Sequence, residues 1–315
     1  MHRAIALYSG GLDSLLSIII VIQQGIEVIA IKFLTGFTSP LKESDLEYAR
    51  QFGFEIKEIN IKEKFIEILK NPAHGYRKNL NPCIDCKILM LKEAKEKLSE
   101  FNASFVITGE VLSQRPMSQK REILKLIEKQ ATLKDLILRP LSAKILPPTK
   151  PEIQGVVNRE LLYDIYGRTR KPQIDLAKKF GIEKPPQPAG GCLLTDPSFC
   201  RRVKDLMQHD ELTVENVELL KIGRHFRISE KCKAIVGRDE EENKILLSKG
   251  AFIYPSDMKG PVVFLIGQYS AKDIDTAASI CAFYSKRKEV VIKLPQEKIK
   301  IYDATTKEEI VKYRV

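Results

Sequence analysis

The sequence lacks any apolar run long enough to cross a lipid bilayer. Its most apolar early stretch covers residues 15–22, whereas a transmembrane helix needs roughly 20 residues, and the stretch follows a glycine-rich turn instead of a basic leader. Cysteine is also scarce, because 6 residues in a chain of 315 are too few for a disulfide scaffold. We therefore expect a soluble cytoplasmic protein in which paired cysteines serve metal or redox chemistry.

Acidic residues are outnumbered by basic ones. The chain has 41 Asp and Glu against 52 Lys and Arg, and so carries a formal net charge of +11. A basic balance suits a polyanion such as nucleic acid. Most of the excess lies before residue 195, so contact with a polyanion need not be confined to the tail.

Apolar stretches that alternate with helical patterns predict the fold of the first part of the chain. The predicted strands cover residues 3–8, 27–33 and 105–108, and the predicted helices cover 15–24, 84–100 and 172–180. This alternation is typical of an α/β fold with a doubly wound parallel sheet and crossover helices.

A proline-rich break at residues 185–188 precedes a change of pattern. Short strands are predicted at 226–228, 234–236 and 262–266, mixed with helices at 240–248 and 271–284. We predict two domains, in which residues 1–200 form the parallel sheet and residues 201–315 form a smaller α+β domain.

The turn after the first strand has the composition of a phosphate-binding loop. Ser9, Gly10 and Gly11 follow the strand, and a helix starts near Asp13 and Ser14. Backbone N–H groups and a helix N-terminus around one point favour an anion. Because no Gly-x-x-x-x-Gly-Lys-[Ser/Thr] pattern is present, the loop suits a released pyrophosphate better than γ-phosphoryl transfer. An ordinary strand-to-helix turn is the alternative.

The hexapeptide Ser9-Gly10-Gly11-Leu12-Asp13-Ser14 resembles the PP-loop of the N-type ATP pyrophosphatases, which split ATP between its α- and β-phosphates. Thr108-Gly109-Glu110, the segment 113–119 and Arg139-Pro140-Leu141 resemble motifs of the tRNA 4-thiouridine synthetases. The resemblance implies ATP and Mg²⁺ as cofactors, with Asp13 near the phosphates or their Mg²⁺. It implies a nucleotide site formed by Ser9, Gly10, Gly11, Leu12, Asp13, Ser14, Phe33, Thr108, Gly109 and Gln114.

Cys83 and Cys86 stand three positions apart at the start of a predicted helix, so both thiols can point to one side. The helix dipole lowers the pKa of a thiol at this end, and we therefore expect thiolates. Cys192 lies far along the chain in a glycine-containing loop. The residue types leave open a zinc site completed by His74, a redox or persulfide pair, and an iron–sulfur cluster.

The tRNA thiouridylases that this chain resembles have paired functional cysteines at these positions. In one branch the first position is Asp, and two cysteines form a persulfide and then a disulfide. In the other branch three thiolates bind a [4Fe-4S] cluster. Because the first position here is Cys83, the resemblance favours a cluster held by Cys83, Cys86 and Cys192. It implies Asp13, Cys86 and Cys192 as catalytic residues.

The remaining cysteines, Cys200, Cys232 and Cys281, stand in apolar surroundings and are predicted to be buried.

Basic residues near the predicted site loops offer contacts to RNA phosphates. They are Arg77-Lys78, Lys120-Arg121, and the set of Arg168, Arg170 and Lys171. A solvated surface cluster is the alternative for each.

The tail contains several short motifs, which are Gly223-Arg224-His225-Phe226, Val236-Gly237-Arg238, Met258-Lys259-Gly260-Pro261 and an alanine-rich stretch over 277–286. Across residues 205–295 they resemble the RNA-binding domain of the ribosome quality-control NFACT proteins. The tail departs from that family at Ile253-Tyr254-Pro255, where Trp-x-His is usual. A structural or dimerising module is the alternative.

These features together predict a tRNA sulfurtransferase of the ATP pyrophosphatase type. ATP would adenylate a uridine carbonyl oxygen, and sulfur would then displace AMP, with 4-thiouridine favoured over 2-thiouridine. The expected partners are tRNA and a sulfur donor, either sulfide or a sulfur carrier, and a homodimer is also considered. The alternatives are an amide-forming PP-loop ligase on a small substrate and a non-catalytic RNA-binding factor that senses nucleotide.

Overall fold

The computed structural model of the protein describes residues 2–77, 79–115, 118–187, 191–294 and 298–315. Lys78, Pro116, Met117, Pro188 and Gly190, which belong to segments singled out in the sequence, lie outside the described residues. The chain divides into two units, Met1–Asp196 and Pro197–Val315. The boundary predicted after residue 200 would fall inside a helix that begins at Pro197.

The first unit is built on a five-stranded parallel sheet. Its strands are β1 (Arg3–Leu7), β2 (Glu27–Leu34), β3 (Glu55–Asn60), β4 (Phe105–Thr108) and β5 (Ile137–Leu138). They lie in the order β3-β2-β1-β4-β5, and each neighbouring pair is parallel. The predicted parallel-sheet fold is therefore confirmed. The sequence pattern did not indicate β3, because this edge strand alternates charged and apolar residues and is largely half-exposed.

Helices cover the sheet and connect its strands. They are α1 (Leu12–Ile22), α2 (Glu43–Phe52), α3 (Lys62–Lys70), α4 (Cys83–Glu100), α5 (Arg121–Gln130), α6 (Lys150–Ile153) and α7 (Lys171–Lys179). Helix α1 begins at Leu12, earlier than the predicted residue 15, because Gly11 keeps an extended backbone and caps the helix. Its first turn therefore carries Asp13 and Ser14. Helices α1 and α7 pack in one core cluster with the alternate β1 residues Ala4 and Ala6.

The second unit combines antiparallel sheets with helices, which confirms the predicted α+β fold. One sheet has the order β6-β7-β9 and the other the order β11-β10-β8. The strands are β6 (Arg224–Ser229), β7 (Cys232–Val236), β8 (Tyr254–Pro255), β9 (Val263–Gly267), β10 (Glu289–Lys293) and β11 (Ile299–Asp303). The helices are α8 (Pro197–Gln208), α9 (Val214–Leu219), α10 (Glu240–Ser248), α11 (Ala271–Tyr284) and α12 (Lys307–Tyr313).

A buried ion cluster attaches α8 to this second unit. Asp205 of α8 accepts two hydrogen bonds from Arg227 of β6, at 2.9 and 2.8 Å, and one from the fully buried Lys233 of β7. Burial opposes ionisation of Asp205, but the hydrogen bonds from Arg227 and the nearby Lys233 hold its pKa below the usual value. The helix that starts at Pro197 therefore belongs with the tail.

Cys200, Cys232 and Cys281 are buried, as predicted. Within the described ranges, no helix combines the length and the apolar character that a membrane span requires.

Candidate functional site

The hydroxyl groups of the loop between β1 and α1 form hydrogen bonds with the backbone of the same loop. Ser14 Oγ donates to the Gly11 carbonyl at 2.8 Å, and the Gly11 N–H donates to Ser9 Oγ at 3.3 Å. Gly10 has φ +74°, in the left-handed region that favours glycine. The residue before α1 is Gly11, which has no side chain to cap the first turn. The predicted phosphate loop is thus a tight turn that ends at a helix N-terminus, a position that favours anions.

The end of β4 packs directly on this loop. A Cβ on Gly109 would lie 2.5 Å from the Ser14 nitrogen and 2.6 Å from the Asp13 carbonyl carbon. Only glycine fits there, because both neighbouring atoms belong to the backbone. The two nucleotide motifs recognised in the sequence are therefore in contact.

Asp13 lies buried beside this contact with mostly cationic neighbours. Gln114 forms a hydrogen bond with it, and Arg170 Nη2 is 3.7 Å from its Oδ1. Burial raises the pKa of Asp13, and Gln114, Arg170 and Arg115 counteract that rise. Within the described residues, Asp13 Oδ1 and the Nε and Nη2 atoms of Arg170 are buried without a hydrogen-bond partner. Buried polar atoms normally have hydrogen-bond partners, so these atoms mark Asp13 and Arg170 as candidate ligand contacts.

Glu110 connects the nucleotide motifs with the helix that carries the thiols. Its buried carboxylate accepts hydrogen bonds from Thr108 Oγ1 at 3.0 Å and Arg139 Nε at 3.1 Å, and Lys87 Nζ lies 3.8 Å away. Burial opposes ionisation, but Lys87 and Arg139 hold the pKa of Glu110 below its usual value. Because Lys87 follows Cys86 on α4, this network ties α4 to the end of β4.

A buried ion pair lies close to Gly10, and the sequence analysis missed it. Lys32 Nζ is 2.9 Å from Asp45 Oδ2, and Tyr8 donates to Asp45 Oδ1 at 2.8 Å. Burial alone would raise the pKa of Asp45, but hydrogen bonds led by that from Lys32 lower it. A Cβ on Gly10 would lie 3.3 Å from Asp45 Oδ1. The available signal was a lysine inside an apolar strand, since a buried charge needs a partner.

Helix α4 begins at Cys83, so Cys83 and Cys86 lie three positions apart in its first turn. Both residues are half-buried, and Cys83 Sγ donates to Asn81 Oδ1 at 3.0 Å. In ionised form, both Cys192 and Cys83 raise the pKa of Cys86. Cys86 therefore lies within electrostatic range of each of the other two thiols.

Cys192 reaches this position through contacts of its loop with the end of β2. Thr38 and Cys192 form an antiparallel bridge, and the Leu193 N–H donates to the Phe37 carbonyl at 2.9 Å. Asn79, just before α4, donates to the Thr195 carbonyl at 3.0 Å. These contacts bring together positions that are far apart in the sequence.

The predicted lowering of the thiol pKa values is wrong. Burial raises the pKa of Cys86 to about 12, and the neighbouring Cys192 adds to this rise. Burial also raises the pKa of Cys83, although Arg115, Lys87 and Arg77 oppose it. Loss of solvation therefore outweighs the helix dipole at both sulfurs.

His74 is not directed at the thiols as a fourth ligand. Its Nδ1 is 2.8 Å from Asp85 Oδ1, and its Nε2 is 3.2 Å from the amide nitrogen of Gln130. Both ring nitrogens are thereby engaged. In the described part of the chain, no three His, Cys, Asp or Glu side chains converge as ligands of one metal ion.

The other predicted site residues lie further out. Phe33 is buried on β2, next to Lys32, and adjacent strand residues point to opposite faces of a sheet. Arg168 and Lys171 are exposed, whereas Arg170 is half-buried. Arg170, assigned from the sequence to RNA phosphates, instead faces Asp13.

Fold and loop together define the class of the first unit. The first strand of its parallel sheet leads through Ser-Gly-Gly into a helix, as in the PP-loop nucleotide-binding fold. Residues 1–153 match the family described as thiamine biosynthesis protein (ThiI). Residues 223–314 match the family described as NFACT protein RNA binding domain. The first unit is therefore similar to ThiI and the second to the NFACT RNA-binding domain, which confirms both resemblances.

Similar proteins include a probable tRNA sulfurtransferase of Thermococcus kodakarensis. It is 28% identical over 148 residues, which are 44% of this chain and 36% of the relative. The chain thus spans about a third of the length of that relative.

Two solved structures show more distant likeness. A 4-thiouridine synthetase in complex with RNA and ATP is 18% identical, with a TM-score of 0.43, over 69% of this chain and 53% of that one. A predicted tRNA methyltransferase subunit from Methanocaldococcus jannaschii is 21% identical, with a TM-score of 0.33, over 44% of this chain and 69% of that one.

Proposed function

We propose that the protein is an ATP-dependent tRNA sulfurtransferase that adenylates a uridine carbonyl oxygen and replaces it with sulfur. One observation carries this proposal. The buried Glu110 accepts a hydrogen bond from Thr108 Oγ1, next to the Gly109 that packs on the loop, and lies 3.8 Å from Nζ of Lys87, which follows Cys86 on α4. Nucleotide chemistry and sulfur chemistry therefore fall within range of the same side chain.

The nucleotide half would bind ATP through the loop and the first turn of α1. Ser9, Gly10, Gly11 and Ser14 would hold the phosphates, and Asp13 would hold the Mg²⁺ that accompanies them. Arg170, whose Nε and Nη2 atoms have no hydrogen-bond partner among the described residues, would neutralise the charge of the leaving pyrophosphate. The uridine oxygen attacks the α-phosphorus, and the bond to pyrophosphate breaks. Adenylation is needed because oxide is a poor leaving group, whereas AMP carries the oxygen away readily.

The sulfur half would use Cys83, Cys86 and Cys192. We propose that they hold a [4Fe-4S] cluster, which with three protein ligands leaves one iron open for a hydrosulfide. We favour a cluster over zinc because zinc would require a fourth protein ligand, and both ring nitrogens of His74 are already engaged with Asp85 and Gln130. Lys87, Arg77 and Arg115 would offset the negative charge of three thiolates.

The second unit would hold tRNA, because residues 223–314 match the NFACT RNA-binding family. We favour 4-thiouridine over 2-thiouridine as the product because of the motifs at residues 108–119. The similarity to a probable tRNA sulfurtransferase also supports tRNA as the substrate. Sulfide or a sulfur carrier would supply the sulfur, and cytoplasm is the expected location.

The test is anaerobic incubation of the full chain with tRNA, sulfide and ATP labelled on its α-phosphorus. We expect AMP and pyrophosphate in amounts that depend on tRNA, together with thiouridine in the digested tRNA by mass spectrometry. Asp13→Asn should abolish both products. Glu47→Gln, which removes an exposed carboxylate in the same unit, should change neither.

Other outcomes identify the alternatives. Formation of AMP with ammonia and a small carbonyl compound, without tRNA, would indicate an amide-forming ligase. Nucleotide and tRNA binding without turnover would indicate a nucleotide-sensing RNA-binding factor. Release of ADP and phosphate would contradict the assignment of the loop.

A further inference from the structure

The segment 166–172 is anchored at its start to Leu112, the first residue of the segment 112–121. Tyr166 pairs with Leu112 in a parallel bridge, and the Gly167 N–H donates to the Leu112 carbonyl at 2.9 Å. From this shared anchor one segment continues to Arg115 and the other to Arg170. Both of these cations act on Asp13. A ligand lying along the two segments would therefore lead to the reacting groups.

The charge of the two segments is entirely of one sign. Neither contains Asp or Glu, and together they carry Arg115, Lys120, Arg121, Arg168, Arg170 and Lys171. Arg168 and Lys171 are exposed, and neither forms an ion pair with any described residue. Exposed cations that are not engaged in ion pairs can contact the phosphates of a polyanion.

Tyr166 adds a feature that phosphate binding alone does not require. Its side chain is exposed, at 61% of its full area, and its ring makes no aromatic or cation contact within the described ranges. The ring also lines an open cavity of about 450 Å³ together with Tyr163, Pro172 and Leu176, and Asp164, Asp175 and Lys179 line the same cavity. A flat apolar wall beside cations is the arrangement on which unpaired bases stack.

We propose that Tyr166, Arg168 and Lys171 form a binding site for single-stranded RNA that delivers the target nucleotide to the site. Tyr166 stacks on a base that neighbours the target, and Arg168 and Lys171 contact the flanking phosphates. This proposal rests on the proposed function for the identity of the RNA. It adds a contact in the first unit, separate from the NFACT-type domain of the tail.

The test measures tRNA affinity of the full chain by fluorescence anisotropy at several salt concentrations. Tyr166→Ala should weaken binding roughly tenfold, whereas Tyr166→Phe, which keeps the ring, should bind like the wild type. Arg168→Ala should weaken binding and reduce the slope of log affinity against log salt by about one. Lys178→Ala removes an exposed charge from α7 and should leave the slope unchanged. ATP affinity should be unaffected in all four variants.

Two results would overturn the inference. Unchanged tRNA affinity in Tyr166→Ala and Arg168→Ala would exclude the site, even if the wild type thiolates tRNA. Loss of self-association in Tyr166→Ala, with unchanged tRNA affinity, would show that a second copy of the chain covers this face. A third combination separates the RNA site from the proposed function. If the wild type forms no AMP with tRNA, but Tyr166→Ala and Arg168→Ala both bind tRNA more weakly than the wild type, the proposed function is refuted and the RNA site is supported.

Discussion

Gly109 lies against Ser14 so closely that a Cβ on Gly109 would come within 2.5 Å of the Ser14 backbone nitrogen. The end of β4 and the N-terminus of α1 are thus in direct backbone contact. The nucleotide loop therefore depends on a residue of another strand for its position.

Gly109→Ala should disrupt this contact. Because both sides are backbone, the loop must shift, and we expect a loss of about 1–3 kcal/mol in the free energy of unfolding together with loss of ATP binding. Urea denaturation and calorimetric titration with ATP measure the two effects.

Gly25→Ala is the control for this substitution. Gly25 lies beyond the other end of α1 and has φ +76°, and a Cβ added to it would meet no atom within 4 Å. The variant should lose some stability through backbone strain but keep its ATP affinity. Equal ATP affinity in both alanine variants would show that the contact with Ser14 does not position the loop.

Arg170→Ala should weaken ATP binding at least tenfold and leave AMP binding unchanged. The physical reason is that Nε and Nη2 of Arg170, which lie beside Asp13 and have no hydrogen-bond partner within the described residues, would donate to the β- and γ-phosphates, which AMP lacks. Lys178→Ala is the charge-matched control on α7. An equal loss for ATP and AMP would contradict a role at the outer phosphates.

Lys32→Met should destabilise the protein by about 3–5 kcal/mol at neutral pH, because it leaves Asp45 as a buried carboxylate without its cation. The pKa of Asp45 is lowered in the wild type. The wild-type pair therefore contributes stability above the unfolded-state pKa, and this contribution is lost as pH falls through the folded-state value.

In the Lys32→Met variant, the shift in the pKa of Asp45 should reverse its direction. Without Lys32, burial raises the pKa of Asp45 above its unfolded-state value, so protonated Asp45 becomes tolerable at acidic pH. The stability difference between wild type and Lys32→Met should therefore be smaller at pH 4 than at pH 7 in urea denaturation. A difference that is independent of pH would show that the variant acts through packing instead of charge.

Anaerobically purified protein should be brown and contain close to four irons per chain. Cys83→Ala, Cys86→Ala and Cys192→Ala should each lose the colour, the iron and thiolation. Cys281→Ala changes a buried cysteine of the tail and should keep all three. A persulfide mechanism needs only Cys86 and Cys192, so full activity of an iron-free Cys83→Ala variant would exclude the cluster. A colourless protein with one zinc per chain would exclude it as well.

Much of the fold was predictable because its signals are local. The strand–Ser-Gly-Gly–helix order of β1 and α1, the buried strand β4 and helix α11 are each visible within a short window of sequence. The sequence also singled out Cys83, Cys86 and Cys192, because the first two share one turn and all three match positions of functional cysteines in the tRNA thiouridylases that the chain resembles. The edge strand β3 was missed, since a half-exposed strand carries little apolar pattern.

Local pattern decided the type of loop, the order of the elements and the candidate residues for binding nucleotide and carrying sulfur. The tertiary structure decided which charges meet. Tyr8, Lys32 and Asp45 come from three elements, and Arg170 reaches Asp13 only because the first turn of α7 lies beside that of α1. It also reversed the expected pKa shift of the thiols, because the loss of water around a sulfur depends on residues that folding brings together from distant parts of the chain.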